Sequence, residues 1–264
     1  MTATRRLRRE PPAFRHVEVR RVERLTPRMV RVTFGGAELA GFTVDQPAAS
    51  VRVLLPSPAG GDLVVPSWNG NEFLLPGGRR PTIRTLTPWR VDPDALELDV
   101  GIVVHGGGVA SDWALSAEPG EPAAISGPGR GYSVDRDAPA YLLAGDETAV
   151  PAITQVLDAV PRETSVQVRV EVAHADGRLA LPAHPGATVE WCDLTPGAPP
   201  GDALGAAVRE VELVDGTRVW AAGEAAAVQR IRRHLFDDRG LARAQTAVRG
   251  YWKHGRAGDG DEDT

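Results

Sequence analysis

The chain has 264 residues, enough for two domains of ordinary size, and its 42% hydrophobic and 25% charged residues are the balance of a soluble globular protein. A formal net charge of −5 excludes a general nucleic-acid binder, which needs a cationic surplus to displace counterions. The one cysteine, Cys192, excludes internal disulfides and cysteine metal cages and fits a reducing, cytoplasmic compartment; no apolar run reaches membrane-spanning length, so no stable membrane association is expected.

The start, Arg5-Arg6-Leu7-Arg8-Arg9-Glu10, is followed by prolines, and residues 1–13 are expected to form a flexible basic arm. Phe14 to Arg24 and Arg28 to Phe34 then alternate apolar and charged residues at period two, with Thr26-Pro27 between them, which predicts two antiparallel strands with one wet face. Val51 to Leu55, Asn71 to Leu75 and Leu96 to Val104 continue the pattern between clusters of proline and glycine. Short strands, turn signals and little helical period predict a small antiparallel β-barrel over residues 14–134.

Within that barrel, Ile83-Arg84-Thr85-Leu86-Thr87 is a short strand set among fixed positive charges and stopped by Pro88. A guanidinium there suits a pyrophosphate, and the threonine hydroxyls suit the polar rim of a flavin; an ordinary barrel strand with an exposed arginine is the alternative. Further on, His105-Gly106-Gly107-Gly108-Val109-Ala110-Ser111-Asp112-Trp113 runs from a strand through three glycines into a helical pattern. Glycines let a backbone approach a ligand, and a helix start favours an anion, although three glycines also make a plain turn. His105 alone fits a hydrogen-bonded structural residue better than a base.

Beyond Asp135 the pattern changes. Ala140 to Ala144 is a continuous apolar run, followed by Gly145-Asp146-Glu147-Thr148 and an amphipathic helix to about Val160. Strands at Val166 to Val172, Thr188 to Trp191 and Arg218 to Ala222 alternate with helices at Ala203 to Arg209 and Ala225 to Phe236. This predicts an open, mostly parallel α/β sheet over residues 135–254, with ligands at the carboxyl ends of its strands, where the Gly145 and Gly223-Glu224 turns lie. His174, His184 and His234 have no metal-ligand spacing, so no metal site is expected. Residues 255–264 are expected to be a disordered acidic tail.

Four blocks carry a resemblance. They are Arg84-Thr85-Leu86-Thr87, His105 to Ala114, Leu142 to Ile153 (LLAGDETAVPAI), and Trp220 to Glu224 (WAAGE) with Gly250-Tyr251-Trp252-Lys253-His254-Gly255. Together they resemble the siderophore-interacting protein family, the FAD-dependent ferric-siderophore reductases of the ferredoxin-reductase-like superfamily. Leu86 stands where that family has a tyrosine against the flavin, and Val109 where it has a proline.

The resemblance implies a flavin-binding barrel followed by a nicotinamide-binding α/β domain, in a monomer whose substrate is a ferric siderophore. FAD would be held by Arg84, Thr85, Leu86 and Thr87 and by His105, Gly106, Gly107, Gly108, Val109, Ala110, Ser111 and Trp113, with Thr87 hydrogen-bonding flavin N5. NADH or NADPH would dock its pyrophosphate near Gly145, Asp146, Glu147 and Thr148, with Gly223 and Glu224 nearby. Asp146 and Glu147 would either orient the nicotinamide or cap the helix. Asp176 and Arg178, after Val172, leave the choice between the two nicotinamides open. Arg249 and Lys253 would face the anionic siderophore. Ferredoxin as electron donor, free flavin as substrate, and a flavin-free siderophore carrier are the alternatives on the same frame.

Overall fold

The computed structural model describes residues 11–57 and 62–255; the predicted basic arm lies mostly, and the acidic tail almost wholly, outside them. The first half holds strands β1 (Arg15–Thr26), β2 (Met29–Gly35), β3 (Val51–Leu54), β4 (Ser67–Trp68), β5 (Phe73–Leu74), β6 (Ile83–Leu86), β7 (Pro88–Asp92), β8 (Glu97–Val103) and β9 (Pro122–Ser126), with helix α1 (Val109–Ser116) before β9. Seven of these strands form one antiparallel sheet in the order β6-β3-β9-β1-β2-β8-β7, and β4 and β5 pair separately. The alternation seen in the sequence sets the inside and outside: in β8, Leu98, Val100 and Ile102 point into the core, where they meet Val32 and Phe34 of β2.

β6 and β7 are the two outer strands of this sheet and follow each other in the chain with only Thr87 between them. The rolled sheet therefore has its seam at Thr87. A seam exposes unpaired backbone edges unless something covers it, and here the second half of the chain does so.

That half comprises β10 (Ala140–Asp146), α2 (Val150–Ala159), β11 (Ser165–Val172), β12 (Ala187–Asp193), α3 (Asp202–Glu210), β13 (Arg218–Glu224), α4 (Ala225–Arg233) and β14 (Thr246–Trp252). Its five strands are all parallel, in the order β12-β11-β10-β13-β14. Helix α2 covers one face, where Tyr141, Leu143, Ile153, Leu157 and Trp220 cluster; α3 and α4 cover the other, around Leu142, Leu204, Val219 and Ile231. Both faces being covered explains why β10 reads as a continuous apolar run rather than an alternating one. The chain builds outward from β10 to β12, then returns to β13, so the sheet switches direction between β10 and β13.

Some expected elements differ. The strand predicted over Asn71 to Leu75 shrinks to Phe73–Leu74, because this stretch pairs only with Ser67–Trp68 and lies off the main sheet. Strands β7, β9 and β14 form where no strand was predicted. The helix predicted from Ala225 to Phe236 is regular only to Arg233 and finishes as a wider turn over His234–Asp238. Among the described residues no helix is long and apolar enough to cross a membrane.

Candidate active site at the domain junction

The seam of the barrel lies against the carboxyl edge of the parallel sheet. Thr87 is buried, and its hydroxyl lies 3.5 Å from the Tyr251 hydroxyl at the end of β14. Burial pushes the Tyr251 phenol up, so at neutral pH it is protonated and able to donate to Thr87. Tyr251 in turn sits edge-on against Trp220 at 6.5 Å, which ties the contact to the core of the second domain.

Three further residues lock the halves together, and two of them, Gln155 and Arg28, are passed over by sequence reasoning. Gln155 of α2 accepts from Ala48 N–H at 2.8 Å and donates to the Pro88 carbonyl at 2.6 Å. Arg28, in the β1–β2 turn, donates from Nε to Glu147 Oε2 at 2.9 Å. Arg249 of β14 donates to the carbonyls of Ala48 at 2.9 Å, Gly131 at 2.8 Å and Arg130 at 3.4 Å. Neither Arg28 nor Gln155 carries a sequence signal, since each is a common polar residue whose partner lies more than 60 positions away.

Of the strand expected at the flavin, Arg84 is half-buried and donates from Nη1 to the Ile83 carbonyl at 2.8 Å, Thr85 is exposed, and Leu86 packs against the barrel core. Arg84 and Thr85 thus lie on the outer strand β6 and Thr87 just beyond its end, while Leu86 packs on the barrel core.

The glycine loop splits the same way. Cβ atoms built on Gly106 and Gly107 would meet nothing within 4 Å, and Gly107 has φ +87°. Gly108 caps α1 without any side-chain bond to its first N–H groups, and Val109 at the helix start is 36% exposed. This is an open, positively polarised helix start with room above it. His105 is exposed, and its ring fills the space where a Gly108 side chain would stand. Ser111, Ala110 and Trp113 make contacts within the barrel domain. Ser111 is buried and clasps the backbone of His105, accepting its N–H at 3.0 Å and donating to its carbonyl at 2.7 Å. Ala110 packs on the barrel core, where Trp113 stacks on Phe34 at 6.0 Å and donates to Glu121 at 3.1 Å.

On the facing domain the Gly145 turn shows the capping alternative, with Asp146 accepting from Thr148 N–H. Gly145 is needed for packing, since a Cβ there would lie 2.4 Å from Ala149 Cβ and 2.7 Å from the Ala222 carbonyl. Asp146 is saturated: it accepts from Thr148 N–H and hydroxyl through Oδ1, and from Glu224 N–H at 2.9 Å and Trp252 Nε1 at 2.8 Å through Oδ2. Burial raises its carboxyl pKa and these four donors oppose the shift. Glu147 is buried on Arg28; burial pushes its carboxyl up, and the Arg28 charge works against this. The turn therefore offers a pyrophosphate two carboxylates and an occupied Thr148 N–H rather than free donors. Gly223, at φ +147°, has no room for a side chain because Asp146 Oδ2 would be 2.5 Å away. Glu224 caps α4 instead of reaching outward; burial works against its ionisation, but the N–H groups of Ala227, His254 and Ala226 outweigh it and hold the carboxyl low.

The two cations expected at the substrate separate. Arg249 donates to carbonyls of the first domain, as above. Lys253 is exposed at the sheet edge. Among the described residues no group of three or more His, Cys, Asp or Glu is placed to hold a metal ion.

Comparison with known proteins bears on what binds here. Residues 18–132 match the siderophore-interacting FAD-binding domain, and residues 138–255 match the siderophore-interacting protein domain. The ferric vibriobactin reductase ViuB of Vibrio cholerae is 30% identical over 86% of this chain and 85% of its own length.

The chain belongs to the siderophore-interacting protein family.

Within that family its fold is close to the siderophore utilization protein from T. fusca, with a TM-score of 0.83, 38% identity, and coverage of 94% of this chain and 95% of the other. The NADPH-dependent ferric-chelate reductase of Escherichia coli is 29% identical over 84% of this chain and 86% of its own length. In fold alone, this siderophore-interacting protein is ferredoxin-reductase-like: a ferredoxin NADP+ reductase from Neisseria gonorrhoeae superposes with a TM-score of 0.64 at 14% identity, covering 90% of this chain and 99% of the other.

Proposed function

We propose that the protein is a FAD-dependent reductase that releases iron from a ferric siderophore with electrons from NADH or NADPH, and that it works in the cytoplasm as a monomer. The observation that carries this reading is the arrangement at the junction. Arg84 stands on the barrel's outer strand, Thr87 just past it meets Tyr251 of the parallel sheet, and the start of α1 has no side-chain cap.

The residues present fit FAD. Arg84 and the N–H groups at the start of α1 suit its two phosphates, and the empty space over Gly106 and Gly107 lets a ligand approach the backbone. Thr85 and Thr87 offer hydroxyls to the polar edge of the isoalloxazine ring. When bound, FAD supplies acceptance of a hydride and release of single electrons, which no side chain provides. The chain's share is positional. Tyr251 orients the Thr87 hydroxyl, and Gln155, Arg28 and Arg249 hold the second domain against the seam and keep water out of it.

The substrate side follows from coordination chemistry. Ferric iron is held tightly by hard oxygen donors, while the ferrous ion is softer and suits them less, so one-electron reduction is a release step. An anionic ferric complex would find Lys253 exposed at the rim of the junction.

The test is an anaerobic titration of the yellow holoprotein. NADH or NADPH should bleach the flavin, and a ferric catecholate or hydroxamate should restore it with appearance of ferrous iron. Protein that neither carries nor takes up FAD would leave only a siderophore carrier. Protein bleached by reduced ferredoxin and by neither nicotinamide would change the donor.

A further inference from the structure

At the carboxyl edge of the parallel sheet the chain enters three helices, and a carboxylate of the chain itself fills the turn before α2 and the starts of α3 and α4. Asp146 accepts from Thr148 N–H at 2.9 Å in the turn leading to α2 and, with its other oxygen, from Glu224 N–H at 2.9 Å. Glu171, which ends β11 and is 4% exposed, accepts from Gly201 N–H at 2.7 Å and Leu204 N–H at 2.9 Å at the start of α3. Glu224 accepts from Ala227 N–H at 2.7 Å at the start of α4 and from His254 N–H at 3.2 Å.

Open sheets of this kind ordinarily seat the diphosphate of a dinucleotide on a helix start, and an acid about twenty residues past the first glycine turn grips the ribose diol in enzymes selective for NADH. Glu171 stands at the end of the second strand, where such an acid belongs, yet its carboxylate faces α3. The edge therefore turns Glu171 away from the diol, and past the ends of β11 and β12 it carries exposed side chains of both signs, Asp176, Arg178 and Asp193. Arg178 Nη2 lies 2.5 Å from Asp193 Oδ2 across an exposed pair, and Lys253 is exposed beyond β14.

Building on the function proposed above, we propose that, among the described residues, the second domain recognises its reductant through the nicotinamide end and solvent-exposed side chains of mixed charge, and so discriminates weakly between NADH and NADPH. A 2′-phosphate gains only a screened attraction to cations such as Arg178, and salt removes most of it. Glu171 is a structural plug of α3 and takes no part in the choice.

The experiment uses FAD-loaded protein. The kcat/KM for NADPH and NADH, and the equilibrium binding of NADP+ and NAD+ read from the flavin difference spectrum, are measured as the screening length falls from about 10 Å at about 0.1 M salt to about 3 Å at about 1 M. The expected preference for either dinucleotide is under about tenfold at the lower salt and approaches unity at the higher, because a screened surface charge contributes little. Inorganic pyrophosphate should compete with neither. Glu171→Gln should lower the melting temperature and leave the preference within about twofold. A preference above about a hundredfold that survives the higher salt, or one that Glu171→Gln reverses, overturns the inference, since it requires a built phosphate or diol site. Flavin bleached by dithionite and by neither nicotinamide would remove the donor from the proposed function as well, and is a separate result from salt-resistant selectivity.

Discussion

Replacing Arg249 by methionine keeps most of the aliphatic stem and removes the guanidinium, so it tests whether this residue straps the domains or serves the substrate. Two of its three bonds, to the Gly131 and Ala48 carbonyls at 2.8 and 2.9 Å, are short and charge-assisted; the third, to Arg130 at 3.4 Å, is too long to count. Arg249 is half-buried, so each short bond is taken at the low end, about 1.5 kcal/mol, giving a loss of about 3 kcal/mol. That is roughly a hundredfold in the equilibrium between docked and undocked domains. Urea unfolding followed by tryptophan fluorescence, with Trp89 half-buried against the core of the second domain, reads the loss as a lower midpoint. Limited proteolysis between residues 127 and 139, where the chain passes from barrel to sheet, should quicken in parallel. An unchanged midpoint, within about 0.5 kcal/mol, together with a raised KM for the ferric siderophore, would refute the strap and return Arg249 to the substrate.

Four other outcomes follow. Arg84→Ala should weaken FAD binding by about 1.5–3 kcal/mol, roughly ten- to a hundredfold, in a fluorescence titration; unchanged occupancy would place the pyrophosphate elsewhere. Gly106→Ala should leave the unfolding midpoint alone, because its Cβ meets nothing within 4 Å, and should weaken FAD in the same titration. Gly145→Ala should destabilise by about 1–3 kcal/mol or more, since its new methyl would meet Ala149 and a fixed carbonyl; a normal melting temperature would show that the turn yields. Burial raises the Glu171 carboxyl in the folded state, so the folded protein binds that proton more readily than the unfolded chain. Its contribution to stability is thus greatest below the unfolded value of about 4.3 and declines as pH rises through the folded one; Glu171→Gln should flatten that slope in urea midpoints measured across the window.

What the sequence shows and what it hides divide along physical lines. β8 has one wet face and alternates plainly, β2 is buried on both faces but for a half-buried Arg31, and the doubly covered β10 and β13 are apolar between their ends. β9 is hidden because Pro122-Ala123-Ala124-Ile125-Ser126 has small residues buried on both sides and a proline at its head. β7 is hidden because Pro88 reads as a stop, whereas here it begins an outer strand, where a missing N–H matters least. At the site, the glycine loop and the Arg84 strand are legible as residue types, but burial separates ligand-facing groups from scaffold. Nothing in the spelling of Ser111 or Trp113 says that one clasps a backbone and the other stacks on Phe34. Asp146 and Glu147 read as an acidic pair at a helix start; only the fold reveals that Trp252, Glu224 and Arg28 already engage them.

The pairing of β14 with β13 slips by one residue near its end. Gly223 stands opposite Gly250 and Glu224 opposite Trp252, which leaves Tyr251 as the extra residue. That surplus position is the one whose hydroxyl meets Thr87, and its neighbour Trp252 closes on Asp146. One inserted side chain thus lets two consecutive aromatics serve two different partners, one in each half of the molecule. A chimera that joins this barrel to the α/β half of a relative would have to inherit the irregularity along with the strand, or the two halves would meet out of phase.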